Sequence, residues 1–254
     1  MQRRDGLLKL SPEDYFVLGE EQFGVPGLIA HEIVGPFVRV DAAGPLIMVH
    51  DGRFEPRHGI GHHPHRMNER LFYITEGAVT HDDVLNDIQG HMGTGDLGCL
   101  TEGYRGMLHK EWNDTDGQAR AFILVYGTDP VPPRALFTAL RDEEAPRYEP
   151  ADGIRTKELV GPKSPLVVRG DIRLFTDDSA DAGAQLTMEL EPHEGALLYA
   201  DAGRFEADGT ELGPSETLLV APASSARSLT LRALDEGRLF RVVHGPGQGL
   251  VVRE

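Results

Sequence analysis

Apolar residues in this chain come in short runs, each broken by a turn signal. Leu46-Ile47-Met48-Val49 is one such run. Leu71-Phe72-Tyr73-Ile74 is another, and it ends at Glu76-Gly77, a turn, with Ala78 to His81 as its hairpin partner. Gly93-Thr94-Gly95-Asp96 reads as a further turn before a strand from Leu97 to Leu100, and Ala121 to Tyr126 is strongly apolar. Phe37 to Val40 also reads as a strand. After residue 157 the same rhythm predicts strands at Leu166 to Val168, Ile172 to Phe175, Gln185 to Leu190, Ala196 to Tyr199, Thr217 to Val220, Ser228 to Leu231 and Leu239 to Val243. Short strands with turns at this spacing indicate a sandwich or barrel. Two segments read as helical. Ser11-Pro12-Glu13-Asp14 offers a capping hydroxyl, a proline at the first position and then acids. Arg134 to Arg141 follows Pro132-Pro133 and reads as a second helix.

The rhythm repeats. Tyr73 and Gly77 recur as Tyr199 and Gly203, and a turn-then-strand unit follows each: Thr94-Gly95-Asp96-Leu97 and Pro214-Ser215-Glu216-Thr217-Leu218. Pro64-His65 has a counterpart in Pro192-His193, displaced by two more residues. Two copies of one small β-barrel are the economical reading. The boundary is placed near residue 150, in a turn-rich stretch, giving an N-terminal barrel over 1–150 and a C-terminal barrel over 151–254. The length of 254 residues allows this division.

Composition narrows the function. The net charge of −16 comes without clustered Lys or Arg, which argues against direct nucleic-acid binding. No apolar stretch is long enough to span a bilayer, and no charged-then-apolar leader opens the chain. A single cysteine, Cys99, excludes an internal disulfide. A cytoplasmic protein is expected.

The candidate chemistry lies between His62 and Asn113. His63-Pro64-His65 and His109-Lys110-Glu111 each pair two metal-ligand types two residues apart. On a strand such residues share a face. Two such strands facing each other inside a barrel would aim three imidazoles and a carboxylate at one divalent ion. That donor set suits Fe(II), admits Mn, Ni, Cu or Zn, and leaves positions open for chemistry. A second carboxylate, Glu69, lies four residues after His65, and Asn113 lies four after His109. Parity puts both Glu69 and Glu111 on the inward face and does not choose between them. Glu69 and Asn113 are candidates to orient the imidazoles from behind. In the second half His193 and His244 stand without such partners, so that barrel is expected to be metal-free.

The pattern H-x-H, three residues, E, then later H, three residues, N resembles the two-part signature of cupin barrels. A narrower resemblance rests on His63-Pro64-His65-Arg66-Met67-Asn68-Glu69, Tyr73 to Gly77, His81-Asp82-Asp83, Gly95-Asp96 and Thr101 to Glu111. This text is similar to that of the pirin family: H-P-H-R-G-F-E, a Y-x-x-x-G turn, H-x-D, P-G-D and T-A-G-x-G-I-x-H-x-E. The resemblance covers the first half and extends to the second only in its barrel rhythm. It implies an all-β protein of two consecutive cupin-type barrels (double-stranded β-helix, or jelly-roll) with short helical segments. It also implies His63, His65, His109 and Glu111 as ligands, with Glu69 behind them. Met67-Asn68 stand where the family has Gly-Phe, Thr94 where it has the turn proline, Glu102 where it has alanine, and Tyr104-Arg105 where its step is shorter. These departures are expected at the pocket mouth.

Some pirin-like proteins cleave flavonols such as quercetin with O2. The resemblance therefore implies a dioxygenase acting on a small aromatic or enol substrate, with Glu111 as ligand and base and Glu69 as the runner-up base. Others act as metal-bound regulators through protein partners, and that is the alternative expectation; an open cleft onto the metal separates the two. Trp112 and Tyr104 flank the site in sequence as candidates to line a pocket. Cys99, on an apolar strand, reads as a buried inert thiol.

Overall fold

Burial alternates along the strands as the sequence pattern requires. In Ala78–Asp83, Val79, His81 and Asp83 are buried while Ala78, Thr80 and Asp82 are half-buried. The computed structural model describes residues 1–179 and 181–253 and consists almost entirely of such strands. Its helical segments are short: Pro12–Asp14, Glu20–Phe23 and Asp142–Glu144. In the first of these Asp14 reaches back to the Ser11 backbone amide (3.0 Å).

The strands form two cupin-type barrels, each a large sheet packed on a four-stranded one. The N-terminal large sheet runs in the order Leu136–Leu140, Leu97–Thr101, Asn68–Glu76, Ala119–Gly127, Leu46–Phe54, Leu28–Val34, Phe16–Leu18. Facing it is the sheet Ile88–Gly93, Ala78–Asp83, Met107–Trp112, Gly59–His65. In the C-terminal half, an eight-stranded sheet centred on Gly195–Ala202 and Gly237–His244 faces Gln185–Leu190, Arg227–Ala233, Phe205–Ala207 and Thr210–Leu212. The ends of the chain cross over. Leu7–Leu10 pairs with Thr217–Val220 of the second half, and Leu250–Val252 pairs with Val40–Ala43 of the first.

The internal repeat is structural. Gly77 (φ 69°) and Gly203 (φ 73°) both take left-handed turns that a Cβ would jam into the facing backbone. The following turns also match. The amides of Gly95 and Ser215 donate to the carbonyls of Ile74 and Ala200, and those residues' amides donate to the carbonyls of Asp96 and Glu216. The side chains of Asp96 and Glu216 accept from Gly93 N (3.0 Å) and Gly213 N (2.6 Å). The Pro-His pairs do not correspond. His65 lies on a strand, whereas His193 sits in a turn at φ 70°.

Other expectations differ from the structure. Arg134 to Arg141 is not a helix: Leu136–Leu140 is a strand, paired in antiparallel register with Leu97–Thr101. An edge strand with free backbone groups offers more hydrogen bonds than an isolated short helix could keep. Leu166 to Val168 is not a strand either. Leu166 is buried, Val167 is exposed, and the segment is part of the loop that joins Ile154–Val160 to Ile172–Ser179 in the second half. The Phe37 run becomes a strand only at Val40–Ala43.

The two large sheets share a core. Tyr73 and Phe122 from the first half meet Tyr199 and Phe240 from the second, with ring centroids 5.0–5.8 Å apart. At its margin Arg120 grips Asp51 through two hydrogen bonds (2.7 and 3.0 Å) and Asp201 of the other half at 2.7 Å. Tyr199 donates to Asp51 (2.9 Å). Phe240 is 1% exposed, so Phe240→Ala should open a cavity in this shared core and cost about 3–5 kcal/mol in urea unfolding. A loss under about 1 kcal/mol would show that the rings do not hold the halves together.

Candidate metal centre

Three adjacent strands of the N-terminal four-stranded sheet carry the cluster. Met107–Trp112 lies between Gly59–His65 and Ala78–Asp83, with His109 opposite His63 on one side and Glu111 opposite His81 on the other. A bulge between His109 and Glu111 shifts the register toward Gly59–His65. Alternation turns His63, His65, His109 and Glu111 inward, and His81 with them.

Ring nitrogens of His63, His65 and His109 all lie within 4.8 Å of one another, and His81, His109 and Glu111 form a second such triple. Two ligands at about 2.1 Å from a shared ion lie at most about 4.2 Å apart. His63 Nε2 and Glu111 Oε2 are 4.0 Å apart, inside that limit. His109 Nδ1 lies 2.7 Å from Glu111 Oε1, close but not aligned as a hydrogen bond. His81 Nδ1 is 3.4 Å from His109 Nδ1. His109 Nε2, His81 Nε2 and Glu111 Oε1 are buried without hydrogen-bond partners. Buried polar atoms left without a partner are costly, and a divalent ion would satisfy donors of this set, so the residues fit one. The inner end is dry, while His63 and His65 are half-buried toward the barrel mouth.

Hydrogen bonds set the imidazole tautomers. His63 Nδ1–H donates to the Gly61 carbonyl (2.8 Å), leaving Nε2 bare for a metal. His65 is held differently. Arg70 Nη2 donates to its Nδ1 (2.8 Å), and Glu102 anchors Arg70 through Nε (2.6 Å). A guanidinium only donates. A neutral His65 so held carries its proton on Nε2, and ligation through that atom requires the proton to leave or Arg70 to swing away. Burial, reinforced by Arg70, pushes the His65 pKa down to about 3, and burial also lowers that of His63. Both rings are therefore uncharged near neutral pH, as ligation needs. For Glu111 burial acts upward, but the close approach of the His109 ring, with His81 and His63 beside it, outweighs it and holds the carboxyl well below its ordinary range.

The structure does not bring every expected residue to the cluster. Glu69 is fully buried but engaged elsewhere: Oε1 accepts from Tyr126 Oη (2.8 Å) and Arg169 N (2.7 Å), and Oε2 from Thr101 Oγ1 (2.6 Å). It ties the barrel wall to the loop that carries Arg169 and supports no imidazole, because, contrary to the expected parity, it faces away from the cavity: Arg70 and Phe72 on its strand line the cavity, while Glu69 shares the face of Leu71 and Tyr73 in the core between the halves. Asn113 likewise knots a loop, donating to the carbonyls of Phe54, Glu55 and Gly117. Gly61 and Arg70 orient the histidines instead. Tyr104 is 71% exposed, and neither it nor Trp112 lines the cavity at the site. Cys99 is buried, and burial pushes its thiol pKa far up. His81 was not among the expected ligands. Its signal was the His81-Asp82-Asp83 text on a strand that pairs with Met107–Trp112.

A cavity of about 310 Å³ opens onto His63, His65 and Glu111. Its other walls are mostly apolar, with Phe23, Phe54, Phe72 and Ile123 among them. No helix among the described residues is long and apolar enough to cross a membrane.

The family model described as Pirin matches residues 20–124. That match lies in the N-terminal half of the chain, which is similar to the pirin family there. Pirin-like protein 2 of Arabidopsis thaliana is 27% identical over 217 residues, which cover 79% of this chain and 65% of that one. The chain thus spans just under two thirds of that relative's length. A Zymomonas mobilis protein with a provisional quercetin 2,3-dioxygenase name is 37% identical over 79 residues, covering 31% of this chain and 33% of that one. The crystal structure of the Escherichia coli pirin YhhW in complex with nickel(II) superposes with a TM-score of 0.78 at 15% identity, over 94% of this chain and 99% of that one. At that identity the likeness shows the fold alone.

Two variants separate the roles of these residues. His63→Ala should remove most of the bound metal in elemental analysis of the purified protein; full retention would contradict the site. Glu69→Ala should keep the metal while costing about 3 kcal/mol of stability in denaturant unfolding, because it strands three buried donors.

Proposed function

We propose that this protein is a metal-dependent bicupin that opens a flavonol such as quercetin, or a related small enol, with O2, using one Fe(II) held by His63, His65, His109 and Glu111. The observation that carries the reading is the cavity onto the imidazoles. A substrate entering it meets His63 and His65 directly, and the apolar walls exclude water from the reacting end. A divalent ion bound there would supply Lewis acidity toward an enol hydroxyl and an electron route to dioxygen. Glu111, held anionic, is better suited to ligation than to taking a proton. Arg70, at the cavity wall, places a fixed positive charge beside the position where an enolate would form. The dioxygenase name of the Zymomonas relative supports the same class.

The open cavity favours an enzyme over a regulator that docks by a flat surface. The lone buried thiol suits a reducing compartment such as the cytoplasm. Aerobic incubation of the Fe(II)-loaded protein with quercetin should bleach the flavonol absorbance with matching O2 uptake, well above an Fe(II)-only control. Bleaching no faster than that control would contradict the proposal.

A further inference from the structure

Besides Arg70, the large-sheet wall of the cavity carries a polar pair, His50 and Glu32. On Leu46–Phe54 the even-numbered residues Met48, His50, Gly52 and Phe54 line the cavity, while Val49 packs in the core between the barrels and Asp51 bonds across it. On the neighbouring strand, Leu28, Ala30 and Glu32 line it too, and Glu32 is paired in register with His50. His50 Nε2 lies 3.1 Å from Glu32 Oε2, and Glu32 Oε1 accepts from Phe37 N at 2.6 Å. The two side chains are 9% and 1% exposed.

The Phe37 amide holds one carboxylate oxygen in place, and the other takes the Nε2–H. A neutral His50 is thereby fixed with Nδ1 as a bare acceptor. Nδ1 has no hydrogen-bond partner among the described residues. Burying an imidazole and a carboxylate in an apolar wall is costly, and a pair needed only for packing would serve as well with two aliphatic side chains. His50 stands on the large sheet and His63 and His65 on the four-stranded sheet facing it, and all three line the one cavity.

We propose that His50, positioned by Glu32, is a specificity residue: its Nδ1 accepts a hydrogen bond from a ring hydroxyl of the ligand at the end remote from the metal site. The cavity then selects flat aromatic compounds with a hydroxyl at each end over those with one. This rests on the functional reading above and names what that reading leaves open, the second anchor.

The test is anaerobic binding to the metal-loaded protein, followed by quenching of protein fluorescence. The probes are quercetin, with hydroxyls at both ends, and 3-hydroxyflavone, with only the enol hydroxyl. Wild type should bind quercetin at least about tenfold more tightly, the discrimination expected when a polar site is left unpaired. His50→Phe should erase that preference while retaining metal. Glu32→Gln guards against a folding defect in the first variant: its amide would donate to Nε2 and move the ring proton to Nδ1. That change is read as a reversed tautomer in the 15N spectrum of His50, with at least a severalfold loss of the preference. Equal affinities in wild type, no binding of either probe, or an intact preference in His50→Phe would overturn the proposal. Turnover of quercetin with an unchanged preference would sink this inference alone. A His50-dependent preference without turnover would sink the reaction and leave the anchor standing.

Discussion

The pairing of Met107–Trp112 between two neighbouring strands sets what the N-terminal barrel can hold. Side chains alternate with a period of two, so a slip of one residue would turn every ligand toward solvent. In the observed register His109 faces His63 and Glu111 faces His81, and a single bulge brings the carboxylate beside the imidazoles. The large sheet closes the space behind them with apolar side chains. The cluster is therefore dry at its inner end and open at its outer end, the arrangement a site needs to hold an ion and admit a substrate.

The same alternation organises the rest of the barrel. On Leu46–Phe54 one face carries Asp51, which binds Arg120 of the neighbouring strand and Tyr199 across the joint between the halves, and the other carries His50 into the cavity. One strand thus serves both cohesion and recognition. The C-terminal barrel repeats the turns of the first but not its histidines. His244 is buried with Nε2 unpartnered, yet no second imidazole approaches it closely enough to form a ligand group among the described residues. The second barrel buries one face of the large sheet that carries Asp51 and Glu69 and so stiffens the wall against which the site is built.

Much of this was legible in the sequence because period-two patterning and turn glycines are local signals. Tyr73 and Tyr199, Gly77 and Gly203, and the paired ligand motifs all announce themselves within a few residues. What was not legible depends on partners distant in the chain. Arg134 to Arg141 has helix-forming residues, but an open sheet edge decides its state. A parity count carried from His65 turns Glu69 inward, but the turn at Arg66-Met67 breaks the count, and Arg70 faces the cavity in its place while Glu69 faces the other half. His50 and Glu32 carry no recognisable spacing, and their pairing exists only through register. Glu102, visible as a departure from the family text, anchors the arginine that holds His65 instead of shaping the mouth.

The most direct measurement is anomalous diffraction from crystals of the iron-loaded protein, collected on both sides of the iron absorption edge. The account predicts one strong peak in the N-terminal barrel, with nitrogens of His63, His65 and His109 and an oxygen of Glu111 each about 2.0–2.3 Å from it. No peak there, or an ion bound elsewhere with these side chains turned apart, would contradict it.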